Sequence, residues 1–451
     1  MHFDTLITNG IIITVNADFE IVENGAVGIL NGRIEYAGPL QGVPGGTSAS
    51  GDEILDAEGG LVMPGLVNTH THLPMSLFRG LADDLPLDQW LNNHIFPAEQ
   101  QHITPETVKW GTLLSCAEML LSGTTTCCDG YFFEDSVAEA VDEAGMRAVL
   151  GQGVIDFPAP GVADPKDNVA HAAEFVGKWK NRSPLIYPSI FCHSPYTCSR
   201  ETLIAAKQAA KRENVLFQVH VAETRNEAHL AGLPPGLSPV AYLDEAGILD
   251  ADTLAVHAVW AGPEDIELLA RRQVKISYNP ESNMKLASGI AAMPEMLKAG
   301  LVVGLGTDGA ASNNNLDMFQ AMGAAARLHK ASLNDPTVMN AEAIIRMATI
   351  EGARAMGLDD RIGSIETAKE ADLVIVDTRK PHLCPLYHPC SHIVYAARGA
   401  DVRHVMVRGD MVVKNGRLAR LDAGSIIAAV NAIAQNIRLT DRGESRAQGE
   451  R

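Results

Sequence analysis

Val62-Met63-Pro64-Gly65-Leu66-Val67-Asn68-Thr69-His70-Thr71-His72 carries an apolar run into two histidines one residue apart. Side chains alternate faces along a strand, so positions i and i+2 point the same way. His70 and His72 can therefore both aim at one point at a strand's end, and imidazole suits zinc, iron and nickel. Taken alone, the pair also fits two polar residues at a strand exit. What decides between the readings is whether further ligands stand at the ends of later strands.

Outward from that stretch the chain changes texture twice. Residues 1–63 read as short strands and tight turns, with hairpin signals at Asn9-Gly10 and Asn31-Gly32. Residues 64–365 alternate strands with amphipathic helices. Strands are expected over 61–68, 124–128, 147–151, 186–191, 216–220, 254–257, 275–278 and 302–306. Helices between them include 105–122, 135–144, 200–213, 263–272 and 341–356. Eight strands alternating with helices predict an α/β fold, a (β/α)8 TIM-like barrel. Residues 366–451 return to β texture, with an Asn415-Gly416 turn, and end in a polar, charged tail after Leu439 that is expected to be mobile. The two flanking β regions are expected to pair as one small β-sandwich domain, with the catalytic barrel inserted between them.

Of 451 residues, 46% are hydrophobic and 20% charged, the composition of an ordinary globular protein. A net charge of −19 repels phosphate backbones and argues against nucleic acid as a partner. No apolar run reaches membrane-spanning length, and the N-terminus lacks a basic segment followed by an apolar one. Seven scattered cysteines without a Cys-x-x-Cys pair read as reduced core residues of a cytoplasmic protein. Composition leaves a monomer and a homo-oligomer equally open.

Chemistry in a barrel gathers at the C-terminal ends of the strands. The polar residues ending the expected strands are His70, His72, His193, His220, His257 and Asp308. Any one of them could be a hydrogen-bonded strand end. The same placement on five strands is hard to explain by chance. Glu223 follows His220 by three residues, just past its strand, and can turn back over a metal. This is neither the His-Glu-x-x-His of zinc proteases nor the His-x-Glu with Pro-Cys-x-x-Cys of cytidine-type deaminases.

On these residues the chain resembles the amidohydrolase superfamily. Gly80-Leu81-Ala82-Asp83-Asp84-Leu85-Pro86-Leu87, Trp90, Pro97-Ala98-Glu99, His193-Ser194-Pro195-Tyr196-Thr197 and Gly306-Thr307-Asp308-Gly309 are similar to its 5′-methylthioadenosine/S-adenosylhomocysteine deaminase branch. The resemblance implies a metal held by His70, His72, His220 and Asp308. Glu223 would be the proton shuttle, and His257 the residue steadying a water. It further implies that Glu99 accepts from the ribose hydroxyls, that His193 meets the purine ring and that Trp90 walls the pocket. Binuclear members carry a bridging lysine on the fourth strand. His193 stands there in this chain, so one divalent metal is implied, with zinc expected first and iron or manganese as alternatives. Some members carry an arginine near the substrate's tail, where this chain is read as having Gln152. Glutamine cannot grip a carboxylate as a guanidinium does, which favours an uncharged 5′ group. The implied activity is hydrolytic deamination of a small nucleoside. The alternatives are a triazine hydrolase or another purine or pterin deaminase, and a non-catalytic barrel.

Overall fold

The computed structural model describes residues 1–46 and 50–449. Eight parallel strands follow one another in sequence order: β1 Leu66–Thr71, β2 Thr124–Tyr131, β3 Arg147–Val154, β4 Ile186–Cys192, β5 Phe217–Val221, β6 Thr253–His257, β7 Lys275–Tyr278 and β8 Val303–Leu305. The ring closes just past β8, where the Asp308 N–H donates to the His70 carbonyl at 2.9 Å. Asn68 reinforces the seam. Its Oδ1 accepts from the Thr307 N–H at 3.0 Å and its Nδ2 donates to Thr307 Oγ1 at 2.7 Å. Both residues are buried, so these bonds satisfy polar groups that water cannot reach.

The opening stretch is two strands, not one. Leu61–Pro64 belongs to the small sheet, and β1 begins at Leu66. Gly65 between them lies against strand β2, where a Cβ would stand 2.1 Å from Thr125 Oγ1. The helix expected over 341–356 is also divided, into Ala341–Met347 and Ile350–Ala355. The Val67 N–H of β1 takes the Ala348 carbonyl at 2.8 Å, and Thr349 leaves helical geometry there.

Both chain ends meet in one mixed sheet of nine strands. Leu373–Val376 pairs antiparallel with Leu61–Pro64, which joins the C-terminal strands to the N-terminal ones. The sheet curls, so that Gly32 in the turn between Ile21–Leu30 and Arg33–Pro39 lies against Arg408. Ile7, Ile12, Val27, Ile29, Val62, Ile375 and Met406 pack together as its core. Asn31-Gly32 and Asn415-Gly416 form the expected turns, with positive φ at both residues of each. Asn9-Gly10 does not form a hairpin. The strand His2–Ile13 continues through it as a bulge, exchanging its parallel partner from Ser50–Asp56 to Leu61–Pro64. The polar stretch after Leu439 continues a helix, Ala423–Gly449. Among the described residues no helix is long and apolar enough to cross a membrane.

The barrel is tied to the sheet by a buried charge cluster. Arg147, the first residue of β3, is fully buried. Its Nε and Nη2 reach the two oxygens of Asp372 at 3.0 and 2.9 Å, and Nη2 reaches Glu370 Oε2 at 2.6 Å. Removing one partner of such a cluster strands the others in a dry interior. Arg147→Leu should therefore lower the unfolding free energy by about 3–5 kcal/mol, read by urea denaturation. A change under about 1 kcal/mol would show that the cluster does not fasten barrel to sheet.

Candidate active site

The strand-end residues gather at the C-terminal mouth of the barrel. His70 lies inside β1 and His72 one residue past it. His193 follows β4, His220 is in β5, His257 ends β6, and Asp308 stands three residues past β8. Nε2 of His70 and Nε2 of His220 are 3.1 Å apart. Nε2 of His70 and of His72 each lie 3.5 Å from Asp308 Oδ1. One ligand atom from each of His70, His72 and His220 falls within 4.8 Å of the others.

The protonation states suit a cation. Burial pulls all three imidazoles below their ordinary pKa, His72 to about 4. Each is then neutral near pH 7 and offers a lone pair. The His72 Nδ1–H donates to the Gly130 carbonyl at 2.6 Å, which leaves Nε2 unprotonated and facing the centre. Burial opposes ionisation of Asp308, but a hydrogen bond from His70 and the neighbouring imidazoles hold its carboxyl well below the carboxylate range. Two imidazole nitrogens 3.1 Å apart can share at most one proton, whereas a cation between them satisfies both lone pairs. Three imidazoles and one carboxylate fit a single divalent metal with room for a water.

Backbone strain marks the same place. Asp308 has φ +65° and His257 φ +77°, a region that non-glycine residues avoid. Supporting side chains hold them there. Ser282 Oγ donates to Asp308 Oδ2 at 2.6 Å, and the Gly309 N–H to Oδ1 at 2.7 Å. Asn283 Nδ2 donates to His257 Nδ1 at 2.9 Å, so the His257 proton sits on Nε2. That nitrogen lies 3.9 Å from Glu223 Oε2.

Glu223 is buried, and burial, followed by the charge of Asp308, lifts its pKa to about 8. It stands on a turn with Ala222 at φ +52°. The buried Glu227 fixes that turn, its two oxygens accepting from the Ala222 and Glu223 N–H groups at 2.8 Å each.

A cavity opens above these groups. Trp90, Glu99 and His193 line it, with Tyr131, Phe191 and Leu286. His193 Nδ1 lies 2.9 Å from Thr197 Oγ1, and burial draws its pKa down to about 3, so it presents a neutral ring. Glu99 accepts from Tyr131 Oη at 2.5 Å, and burial raises its pKa to about 7.

Gln152 is placed elsewhere. Strand β3 runs to Val154, three residues beyond its expected end, so Gln152 is a mid-strand residue. Gly151 and Gly153 on either side face inward, against Phe191 and Phe132, and alternation turns Gln152 outward. Its Oε1 accepts from the Glu134 N–H at 3.2 Å, and it lines a different cleft, with Phe133 and Phe175.

Sequence reasoning missed Tyr131, Glu227 and the roles of Ser282 and Asn283. Tyr131 lies beyond the expected end of β2. Glu227 shows only as a second acid four residues after Glu223. The cysteines are all free, and Cys127 and Cys128 are buried, as small core residues would be.

Known proteins show the same frame. The profile of the Amidohydrolase family matches residues 61–412. A 5-methylthioadenosine/S-adenosylhomocysteine deaminase of Syntrophobacter fumaroxidans is 47% identical over 96% of this chain and 98% of its own length. A 5′-deoxyadenosine deaminase of Methanothermobacter thermautotrophicus is 46% identical over 86% of this chain and 90% of its own. The crystal structure of an adenosine deaminase from Xanthomonas campestris with bound zinc is 37% identical and superimposes with a TM-score of 0.94, over 97% of this chain and 99% of the other. With the histidines, Glu223 and Asp308 on strand ends of such a barrel, the chain belongs to the Amidohydrolase family.

Proposed function

We propose that this protein is a metal-dependent hydrolytic deaminase of adenosine derivatives, yielding the inosine analogue and ammonia. The observation that carries the reading is the placement of Glu223 and Glu99 in one cavity with His70, His72, His220 and Asp308 at its floor. A triazine has no ribose diol, the paired donor that a buried carboxylate at Glu99 suits. The relatives named for deamination of 5′-modified adenosines support the same substrate class.

His70, His72, His220 and Asp308 would hold the metal, with zinc the first choice, as in the similar zinc-bound structure. Bound there, a divalent cation supplies Lewis acidity and brings the pKa of a water from 15.7 to about 7. Glu223 takes a proton from the attacking water and delivers it to adenine N1, so that C6 becomes electrophilic. Burial favours the protonated carboxyl of Glu223, which hands the proton on, and a bound cation would favour the anion that collects it. The His257 Nε2–H and Asp308 would flank the oxygen that adds to C6, and Asp308 would pass that oxygen's remaining proton to the amino group, so that the C–N bond breaks with ammonia as the leaving group. His193 meets the purine edge and Glu99 the ribose. The unpaired thiols accord with a reducing compartment, the cytoplasm.

With Gln152 turned away, preference for the 5′ group rests on the space beyond Glu99. A second cavity begins there, lined by Asn92, Phe96, Gln100, Phe132, Phe157 and Pro158. No Lys or Arg lines it among the described residues. With no cation along it for a carboxylate, this cleft suits an uncharged methylthio or methyl group better than the zwitterionic tail of S-adenosylhomocysteine; the neighbouring cleft past Leu87 and Tyr196 is the one that holds Arg225 and Lys285.

Glu223→Gln should keep its metal and lose about 10²–10⁴-fold in kcat, measured as ammonia release on metal-quantified protein. Near-normal turnover would refute its role. His220→Ala should come off purification without stoichiometric metal, and full occupancy would remove it from the ligand set.

The pH dependence of KM follows from Glu99. Its carboxyl titrates near 7 in the folded protein, against an ordinary value of 4.5. It is anionic above that pH and neutral below it. KM for a riboside should therefore rise as pH falls through about 7. Glu99→Gln should flatten this rise and weaken binding about 10–100-fold, the worth of one charged hydrogen bond at about 1.5–3 kcal/mol. A KM profile unchanged in this variant would contradict the assignment.

A further inference from the structure

Tyr131 closes β2 and is buried in the cavity wall, and Glu99 sits across from it on the helix Phe96–His102. The Tyr131 Oη–H donates to Glu99 Oε1 at 2.5 Å. That is the one hydrogen bond found for the Glu99 side chain among the described residues. It occupies one lone pair of Oε1 and leaves Oε2 for another donor. The preceding residue, Gly130, holds His72 through its carbonyl at 2.6 Å. Two consecutive residues of one strand thus grip a metal ligand and the carboxylate at the opposite end of the substrate space. A strand is stiff, so the spacing between the two anchors is set by its backbone.

We propose that Tyr131 is a specificity-determining positioning residue: by fixing Glu99 relative to the His72 end of the site, it confers selection for substrates bearing a free 2′,3′-diol. The proposal rests on the reading of Glu99 as the ribose acceptor. Three consequences follow. A glutamate freed from Tyr131 has rotamers to choose among, and ordering it on binding costs about 0.5–1.5 kcal/mol. The Tyr131 hydroxyl stays a donor at all working pH, because burial and then the charge of Glu99 push its pKa far up. Its hydrogen bond opposes the effect of burial on Glu99 and so favours the anion that accepts from the diol.

The test is a comparison of two substrates on three metal-loaded enzymes. The substrates are 5′-deoxyadenosine and the analogue lacking both the 2′ and 3′ hydroxyls. The enzymes are wild type, Tyr131→Phe and Glu99→Gln, with the double variant as control. The readout is the ratio of kcat/KM for the two substrates. Tyr131→Phe should reduce that ratio about 10-fold, the size of one hydrogen bond at about 1.4 kcal/mol, through KM for the diol substrate. Activity on the diol-less analogue should stay within about threefold of wild type. The acid limb of the KM profile should move to higher pH, and adding Tyr131→Phe to Glu99→Gln should cost nothing further. A Tyr131→Phe enzyme that loses both substrates in proportion, or keeps the wild-type ratio while Glu99→Gln collapses it, overturns the role of Tyr131. A ratio insensitive to Glu99→Gln overturns the ribose reading itself, and the role of Tyr131 with it.

Discussion

Three imidazole nitrogens and one carboxylate oxygen directed at a single point form the constraint on which the rest depends. Nitrogens 3.1 Å apart on His70 and His220, with Asp308 Oδ1 3.5 Å from His70 and His72, are an arrangement that the protein's own protons cannot satisfy. The fold supplies the rigidity to hold it. His70 and Asp308 come from strands at the two ends of the sheet, and the hydrogen bond between their backbones closes the barrel. Closing the barrel and assembling the site are therefore one event. Asn68 and Thr307 stitch the same seam one step deeper.

The two ends of the barrel divide the work. At the N-terminal end, Arg147 binds Asp372 and Glu370 and fastens the small sheet beneath. Burial disfavours its charge, but Asp372 and then Glu370 keep it protonated. At the C-terminal end, buried acids line the proposed site. Glu223 and Glu99 lie there with no Lys or Arg paired to them among the described residues, and burial raises both carboxyls toward neutral pH. Conservation on the first face would serve stability and on the second function.

Much of this was legible in the sequence, for a physical reason. Barrel strands are short apolar runs, and a polar residue at the end of each stands out against them. His70, His72, His193, His220, His257 and Asp308 are visible that way, and Glu223 by its spacing from His220. Strand length was not legible. β2 and β3 each run three residues past their expected ends, because Asp129, Gly130 and Gly153 look like turn residues but sit in a ladder. That error hid Tyr131 and misplaced Gln152. Gly65, which breaks one apolar run into strands of two different sheets, answers to Thr125 sixty residues away and leaves no local signal. Asn9-Gly10 shows the limit from the other side. Its local preference for positive φ is real, but the tertiary partners use it for a bulge. Glu227 and Asn283 act through other side chains and have no periodicity that could announce them.

The proposed chemistry is removal of the 6-amino group, at one metal-dependent site, from adenosines with an uncharged 5′ substituent. The most direct measurement is kcat/KM on metal-quantified enzyme, with ammonia release from 5′-deoxyadenosine, methylthioadenosine and S-adenosylhomocysteine set beside chloride release from a chlorotriazine. The predicted result is ammonia release that requires the metal and favours the first two substrates over S-adenosylhomocysteine, with no chloride release. Chloride release exceeding ammonia release would contradict the deaminase reading, and a clear preference for S-adenosylhomocysteine would contradict the account of the outer cavity.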